Sequence, residues 1–315
     1  MLTALLLLML LVVLFRLDRQ SLAHSLRQVP LWVALLLVAL QVATQLLVNL
    51  QWHQIAKHTG PPISFRAMFF INCSGAVVDA ITPGAKIGGD VTRALQIRKV
   101  AGCSGQQAAA VVALQKLFSI SALFFVQLFT LGHLPLFGGR LWQLAIYAVL
   151  LLFLAAFLGV FFMPSRIKAR LQRRSLSRFL WVRKTQSFLL ATLDHAKTIS
   201  GSASGWATLT LLSVFIWLLY PAKLYILALQ LNPGVGPAQI GAVAFAPYMV
   251  AMLPIFPGGL GGFEGALSGL LIALGFDISS AAVVTILFRF VTFWFVLLLS
   301  LCFVAFGNAL KRQLS

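Results

Sequence analysis

Apolar residues run along this chain in long blocks separated by short polar stretches. Six blocks approach or exceed the roughly 20 predominantly apolar residues that cross a hydrocarbon layer. They are "MLTALLLLMLLVVLF" (1–15), "PLWVALLLVALQVATQLLVNL" (30–50), "AAAVVALQKLFSISALFFVQLFTLG" (108–132), "WQLAIYAVLLLFLAAFLGVFFM" (142–163), "WATLTLLSVFIWLLYPAKLYILALQL" (206–231) and "AAVVTILFRFVTFWFVLLLSLCFVAF" (281–306). Two further regions, 64–100 and 238–277, are apolar but interrupted by proline, glycine and charge. The pattern predicts an all-α polytopic integral membrane protein, a single transmembrane domain over 1–315 with about eight hydrophobic helices, two of them broken or re-entrant.

Composition agrees. A chain of 315 residues would ordinarily suggest about two soluble domains. With 60% apolar and only 10% charged residues, no soluble core could hide so much apolar surface. The net charge of +18 would point to nucleic acid in a soluble protein. Here the basic residues sit at span ends, where they set topology and meet anionic lipid heads, and no nucleic-acid partner is expected. Cys73, Cys103 and Cys302 lie in or beside apolar segments without paired spacing and read as small core residues. The five histidines show no metal-ligand spacing, so neither a metal nor another cofactor is expected.

Charge also orients the chain. Arg16 and Arg19 follow the first block and no Lys or Arg precedes it, so it reads as a retained helix with its N-terminus outside. Residues 164–184 hold Arg166, Lys168, Arg170, Arg173, Arg174, Arg178, Arg183 and Lys184 without an acidic residue. The segment 164–200 is therefore expected as a basic cytoplasmic loop. Counting outward from it, the region 64–100 carries the chain across, 238–277 is a re-entrant hairpin, and the C-terminus is cytoplasmic beside Lys311 and Arg312. The first break also admits a re-entrant pair.

The two interrupted regions resemble each other. "PGAKIGGDVTRAL" (83–95) and "PGGLGGFEGAL" (257–267) share the order Pro-Gly, Gly-Gly, an acid, then Ala-Leu, and each follows a disturbed apolar stretch. Proline removes a backbone donor, and glycine weakens a helix interior by about 1 kcal/mol. Each motif thus reads as a helix that stops in the bilayer, turns and restarts, which is tolerated only where protein or a watery cavity covers the backbone. Paired breaks of this kind point to a transport site at the interface of inverted repeats. Neither is a nucleotide loop: no Gly-Lys-Ser/Thr follows the first, and Glu264 occupies the third glycine position of the second.

Of the six acids, Asp18, Asp194 and Asp277 lie near span ends, whereas Asp79, Asp90 and Glu264 flank the breaks. Intramembrane charge is expensive, so these three are functional candidates, with a helix cap or a structural ion pair as the alternative reading. Arg289 sits eight residues into the last block and is expected to approach Glu264, with Asp90 and Arg93 as the corresponding group in the first half. Lys86 and Arg93 add positive charge beside a helix start near Gly89, a setting that attracts phosphate. Lys116 and Lys223 lie within spans and could snorkel to an interface from a tilted helix.

"TPGAKIGGDVTRALQIRK" and "FPGGLGGFEGAL", with an arginine in the following span, resemble the flippase-like family typified by the transmembrane region of lysylphosphatidylglycerol synthases. The likeness runs through nearly the whole chain. Synthases of that family continue into a soluble aminoacyl-transfer domain; this chain ends at "GNALKRQLS", so the resemblance implies the membrane part alone. It implies translocation of a lipid between leaflets, with the headgroup contacted near the broken helices. Carried over by motif, the binding positions are Gly84, Gly88, Asp90 and Arg93, then Pro257, Gly258, Gly259, Gly262 and Glu264, with Arg289 beyond. Asp79 and Lys86 join them on charge. Asp90 stands where glutamate is the more frequent residue, a shorter acid with less reach.

These readings make a lipid translocase the leading expectation, with an anionic phospholipid or a polyprenyl-phosphate-linked lipid as partner and a bacterial inner membrane as location. A membrane transferase using a lipid-linked donor is the second; no nucleophile with a base at useful spacing supports it. An ion-coupled small-solute transporter is the third.

Overall fold

The computed structural model describes residues 19–60, 63–82, 87–133, 139–173, 180–251 and 258–313, and among these it is entirely helical. The helices are α1 (Arg19–Arg27), α2 (Leu31–Thr59), α3 (Phe65–Ile81), α4 (Ile87–Ala101), α5 (Gly105–Thr130), α6 (Arg140–Phe162), α7 (Pro164–Arg173), α8 (Leu180–Ser200), α9 (Ala203–Ala228), α10 (Pro237–Ala251), α11 (Gly262–Ala273), α12 (Ile278–Arg289) and α13 (Phe295–Gln313). A five-residue π-helix, Phe290–Trp294, joins α12 to α13. Five segments are long and apolar enough to cross a membrane: Leu31–Thr59, Gly105–His133, Leu141–Phe162, Ala203–Ala228 and Ile278–Phe306. They coincide with the later five expected blocks; the block at 1–15 lies outside the described residues.

Polar caps mark where these helices begin, because the first backbone N–H groups of a helix have no partner within it. Ser104 accepts from the Gln107 amide at 3.2 Å while the Gln107 side chain accepts from the Ser104 amide at 3.0 Å, closing a capping box on α5. Ser64, Ser202 and Asp277 cap α3, α9 and α12 in the same manner.

Contacts between helix ends sort the bundle into two faces. Phe162 meets Trp206 with ring centroids 5.1 Å apart. Gly205 faces His58 so closely that an added Cβ would lie 3.4 Å from the imidazole. Gln106 donates to Ser187 at 3.0 Å. The end of α2, the start of α5, the end of α6 and the start of α9 therefore share one face with α8. At the other face the end of α5 meets the start of α10, where a Cβ on Gly241 would lie 2.7 Å from Thr130 Cγ2. The basic segment at the first face is helical rather than a loop: α7 and α8 pack together, joined by Lys168 Nζ to Asp194 Oδ1 at 2.6 Å.

The interrupted regions fold as two hairpins. At ~1.5 Å per residue, α3, α4, α10 and α11 reach only about 18–25 Å, short of the roughly 30 Å hydrocarbon layer. The helix α3 packs along α4, and α10 packs along α11. The first hairpin leaves from the face carrying α7 and returns to it; the second leaves from and returns to the opposite face. This corrects the expected count, in which 64–100 crosses the membrane, since both ends of that region lie on one face. The expectation of an outside N-terminus rested on Arg16 and Arg19 following the first block, and residues 1–18 lie outside the described residues.

Helix α2 connects two cores. Its first half contributes Val33 and Leu37 to a cluster with Leu224, Leu227, Phe263, Leu267 and Phe288, which seats the second hairpin. Its second half contributes Trp52, Ile55 and Ala56 to a cluster with Met68, Ile71, Leu114 and Phe118, which seats the first. Lipid tails are as apolar as these side chains, so close packing and polar contacts decide the arrangement. Helix α6 stands at the edge, with Leu141, Trp142 and Leu152 exposed on its surface.

In a protein freed of its native cysteines, Ser64→Cys and Gln106→Cys should react with a membrane-impermeant thiol reagent from the same side, and Gly234→Cys from the other. Labelling of the first two from opposite sides would restore the crossing count.

Candidate functional site

The turn between α3 and α4 is closed by charge. Asp79, one turn before the end of α3, accepts from the Gly89 amide at 3.0 Å and from Arg93 Nη1 at 3.0 Å, so one carboxylate ties both arms of the hairpin. Gly89 is required here: a Cβ at this position would lie 2.3 Å from the Asp79 carboxylate. Arg93 also reaches Asp90 at 3.3 Å, and Asp90 receives Lys116 of α5 at 2.8 Å. The guanidinium lies 5.6 Å from the centre of the Trp52 ring, and its Nε–H has no partner. Among the described residues two acids and two bases thus gather on α3, α4 and α5, and Lys116 is the most exposed of them at 33%. Gly88 lies beside the Thr82 side chain.

The second turn is closed differently. Glu264, in the first turn of α11, accepts from the Gly261 amide at 2.7 Å and from Arg289 Nε at 2.8 Å. The same guanidinium donates from Nη2 to the Gly258 carbonyl. It lies between two rings, 4.7 Å from the centre of Phe263 and 4.1 Å from that of Phe293, geometry that suits a delocalised cation. Arg289 is the last residue before the π-helix, and such local widenings of a helix recur at functional sites. Gly259 and Gly262 are buried where the turn meets α11.

These two turns touch. Gly258 has a positive φ of 58°, and a Cβ there would lie 2.8 Å from the Ala80 carbonyl at the end of α3. The hairpin entering from one face therefore ends against the hairpin entering from the other. Of the residues singled out from the sequence, Asp79, Gly88, Asp90 and Arg93 gather at the first tip, and Gly258, Gly259, Gly262, Glu264 and Arg289 at the second. Gly84, Lys86 and Pro257 lie outside the described residues. The Arg289–Glu264 pair is as expected; in the first half Arg93 joins Asp79 as well as Asp90, which the motif comparison does not reveal.

Other polar groups are new. Gln51 donates to Ser213 at 2.5 Å and accepts from Gln115 at 3.1 Å, a chain linking α2, α9 and α5. Lys223 does not snorkel: it is fully buried, donating to Gln41 and, at 3.1 Å, to Thr44. The available signal was the spacing of Gln41, Thr44 and Gln51, three and seven residues apart on one face of an otherwise apolar span.

Two helical hairpins, entering from opposite faces and meeting at turns that each carry an ion-paired group, define an all-helical polytopic membrane protein. The chain belongs to the family described as the lysylphosphatidylglycerol synthase TM region, which it matches over residues 1–300. It is similar to UPF0104 membrane proteins of three archaea. The protein of Methanothermobacter thermautotrophicus is 23% identical over 90% of this chain and 88% of its own length. The Pyrococcus horikoshii protein is 26% identical over 82% of each chain, and the Methanocaldococcus jannaschii protein 22% identical over 81% and 78%.

Removing one partner of a buried ion pair costs roughly 3–5 kcal/mol, because it strands the other charge. Glu264→Gln should therefore lower the thermal midpoint of the detergent-solubilised protein clearly. The double variant Glu264→Gln/Arg289→Gln should recover part of the loss. Equal midpoints for the wild type and Glu264→Gln would mean that the pair does not hold the turn.

Proposed function

We propose that this protein moves an anionic lipid between the leaflets of the cytoplasmic membrane, the headgroup passing the two hairpin tips while the acyl chains stay in the bilayer. The observation that carries this reading is the contact between the tips at Gly258 and Ala80, with an ion-paired group on each side of it. Two faces of the membrane are thereby connected through one polar locus, the arrangement found where paired broken helices hold a transported group. By the positive-inside rule the face carrying α7 and α8 is cytoplasmic, and the C-terminal helix ends there.

Each charged group would exchange partners rather than acquire new charge. Lys116 and Arg93 are the cations offered to a headgroup phosphate at the first tip, Lys116 because it is the most exposed and Arg93 because its Nε–H is unpaired. A phosphate that draws Lys116 off Asp90 substitutes one anion for another, so the net cost is smaller than that of burying a new charge. Family membership supports a lipid-related role, since the family is described by a lipid synthase's membrane region. No ATP-binding loop is legible in the sequence, so downhill exchange is the basal activity proposed.

Purified protein in liposomes should accelerate movement of a fluorescent anionic phospholipid between leaflets. Lys116→Ala should slow it about tenfold, as fits loss of about 1.4 kcal/mol of headgroup interaction. Unchanged rates over protein-free liposomes, for phospholipids and for polyprenyl phosphates alike, would overturn the reading. Chemically altered lipid recovered after incubation would favour a transferase instead.

A further inference from the structure

We propose that Lys223, held by Gln41 and Thr44, is a proton-binding site and that its protonation is coupled to movement of the second hairpin. The coupling rests on the translocase reading above; the proton site does not.

The side chain of Lys223 is 0% exposed, and so are those of Gln41 and Thr44. Among the described residues no carboxylate is available to it. Asp79, Asp90, Asp194 and Glu264 are in ion pairs with other bases, and Asp277 caps α12. The three carboxylates that flank the breaks are the obvious carriers of a coupling proton, but Asp79 and Glu264 hold the turns and Asp90 is paired with Arg93 and Lys116. Lys223 is held only by neutral groups.

Those neutral groups can serve both states of an amine. The charged form needs acceptors, and the Gln41 Oε1 and Thr44 Oγ1 atoms face it. Thr44 spends its own proton on the Leu40 carbonyl at 2.7 Å, so toward Lys223 it can only accept. The neutral amine has a lone pair and needs one donor. Gln41 supplies it by rotating its amide, because its Nε2–H2 group is buried without a partner in the present arrangement. A lysine fixed by a carboxylate would lose this choice. An amide that can turn over and a hydroxyl with spare lone pairs allow the proton to leave and return without stranding a charge.

The site is wired to the second hairpin by packing. Lys223 Nζ lies 4.5 Å from the centre of the Tyr220 ring, Tyr220 meets Tyr248 of α10 at 5.6 Å, and Tyr248 meets Phe263 of α11 at 4.9 Å. Phe263 carries the guanidinium of Arg289. The titratable groups facing the lysine are thus Tyr220 on its own helix and, behind it, Tyr248, with Arg289 beyond; α2 presents only Gln41 and Thr44. Pro221, two residues away, removes one backbone bond from α9 and gives that helix a point at which to bend. Gain or loss of the proton changes the grip of α9 on α2, and the second hairpin packs on α9.

The test uses the full chain. In detergent, the wild-type thermal midpoint is measured across roughly pH 6 to 10, the range in which perturbed amines exchange protons. In liposomes, movement of an anionic phospholipid is measured with and without a transmembrane pH gradient. Lys223→Met should keep the fold, lose the wild-type pH dependence of the midpoint between those limits, and move lipid at a rate indifferent to the gradient. Gln41→Leu should weaken both pH responses while leaving Lys223 in place. A Lys223→Met midpoint that follows pH as the wild type does would overturn the proton site. A lost pH dependence of stability with an unaltered response to the gradient would overturn the coupling alone. Absence of lipid movement in the wild type would overturn the translocase reading and the coupling with it, while the thermal titration still decides the proton site.

Discussion

A peptide group released from a helix in the middle of a bilayer has no water to turn to, and leaving it unpaired costs several kcal/mol. The protein breaks two helices at that depth, and much of its unusual chemistry follows from covering the broken ends. Arg289 pairs both with Glu264 and with the Gly258 carbonyl, so one guanidinium neutralises an acid and caps an exposed acceptor. Asp79 does the converse, taking the Gly89 amide and the Arg93 guanidinium. A cation is used where a carbonyl is loose and an acid where an N–H is loose.

That constraint explains why the acids at the two breaks are paired with bases. An unpaired Glu264 or Asp90 would face the full desolvation penalty of an intramembrane ion, whereas the pair shares it. Such pairing favours structure over reactivity, and a wholly structural role for the four- and two-member groups would account for their distances. What separates the groups is their surroundings. The Arg289 guanidinium is shut between two aromatic rings, while Lys116 is a third exposed and Arg93 retains an unused N–H. The second tip is thus the more enclosed and the first the more open.

Much of this was legible in residue order because helix-breaking residues and intramembrane charges are both rare enough to stand out. The Pro-Gly turns, the acids behind them and Arg289 could be picked from the chain without a structure. The direction of the first hairpin could not: whether Phe65–Ala101 crosses or turns back depends on how α3 lies on α4, and a 17-residue helix followed by a 15-residue one has the same composition in either case. The burial of Lys223 is hidden in the sequence for a related reason. Its position near the end of an apolar span permits snorkelling, and only the packing of α2 against α9 removes the water that snorkelling needs. Asp79 was located, but its bond to Arg93, fourteen residues away across the turn, is a property of the folded hairpin.

Helix α2 is the element on which both halves depend. Its N-terminal half shares an apolar cluster with the second hairpin and holds Lys223 through Gln41 and Thr44; its C-terminal half packs with the first hairpin and presents Trp52 to Arg93. Helix α5 also bridges the halves, packing on α4 of the first hairpin and α10 of the second. Between the two ends of α2 lie Asn49 and Gln51, whose amides bond to Asn72 of the first hairpin, to Ser213 of α9 and to Gln115 of α5. Amide bonds of this sort can be exchanged one for another without moving charge through the hydrocarbon, which lets a helix slide while its polar groups stay paired. A spine held by charges would be rigid and one held by methyl groups alone would have no preferred register. The amides tie α2 in register to α3, α5 and α9 without placing charge in the hydrocarbon.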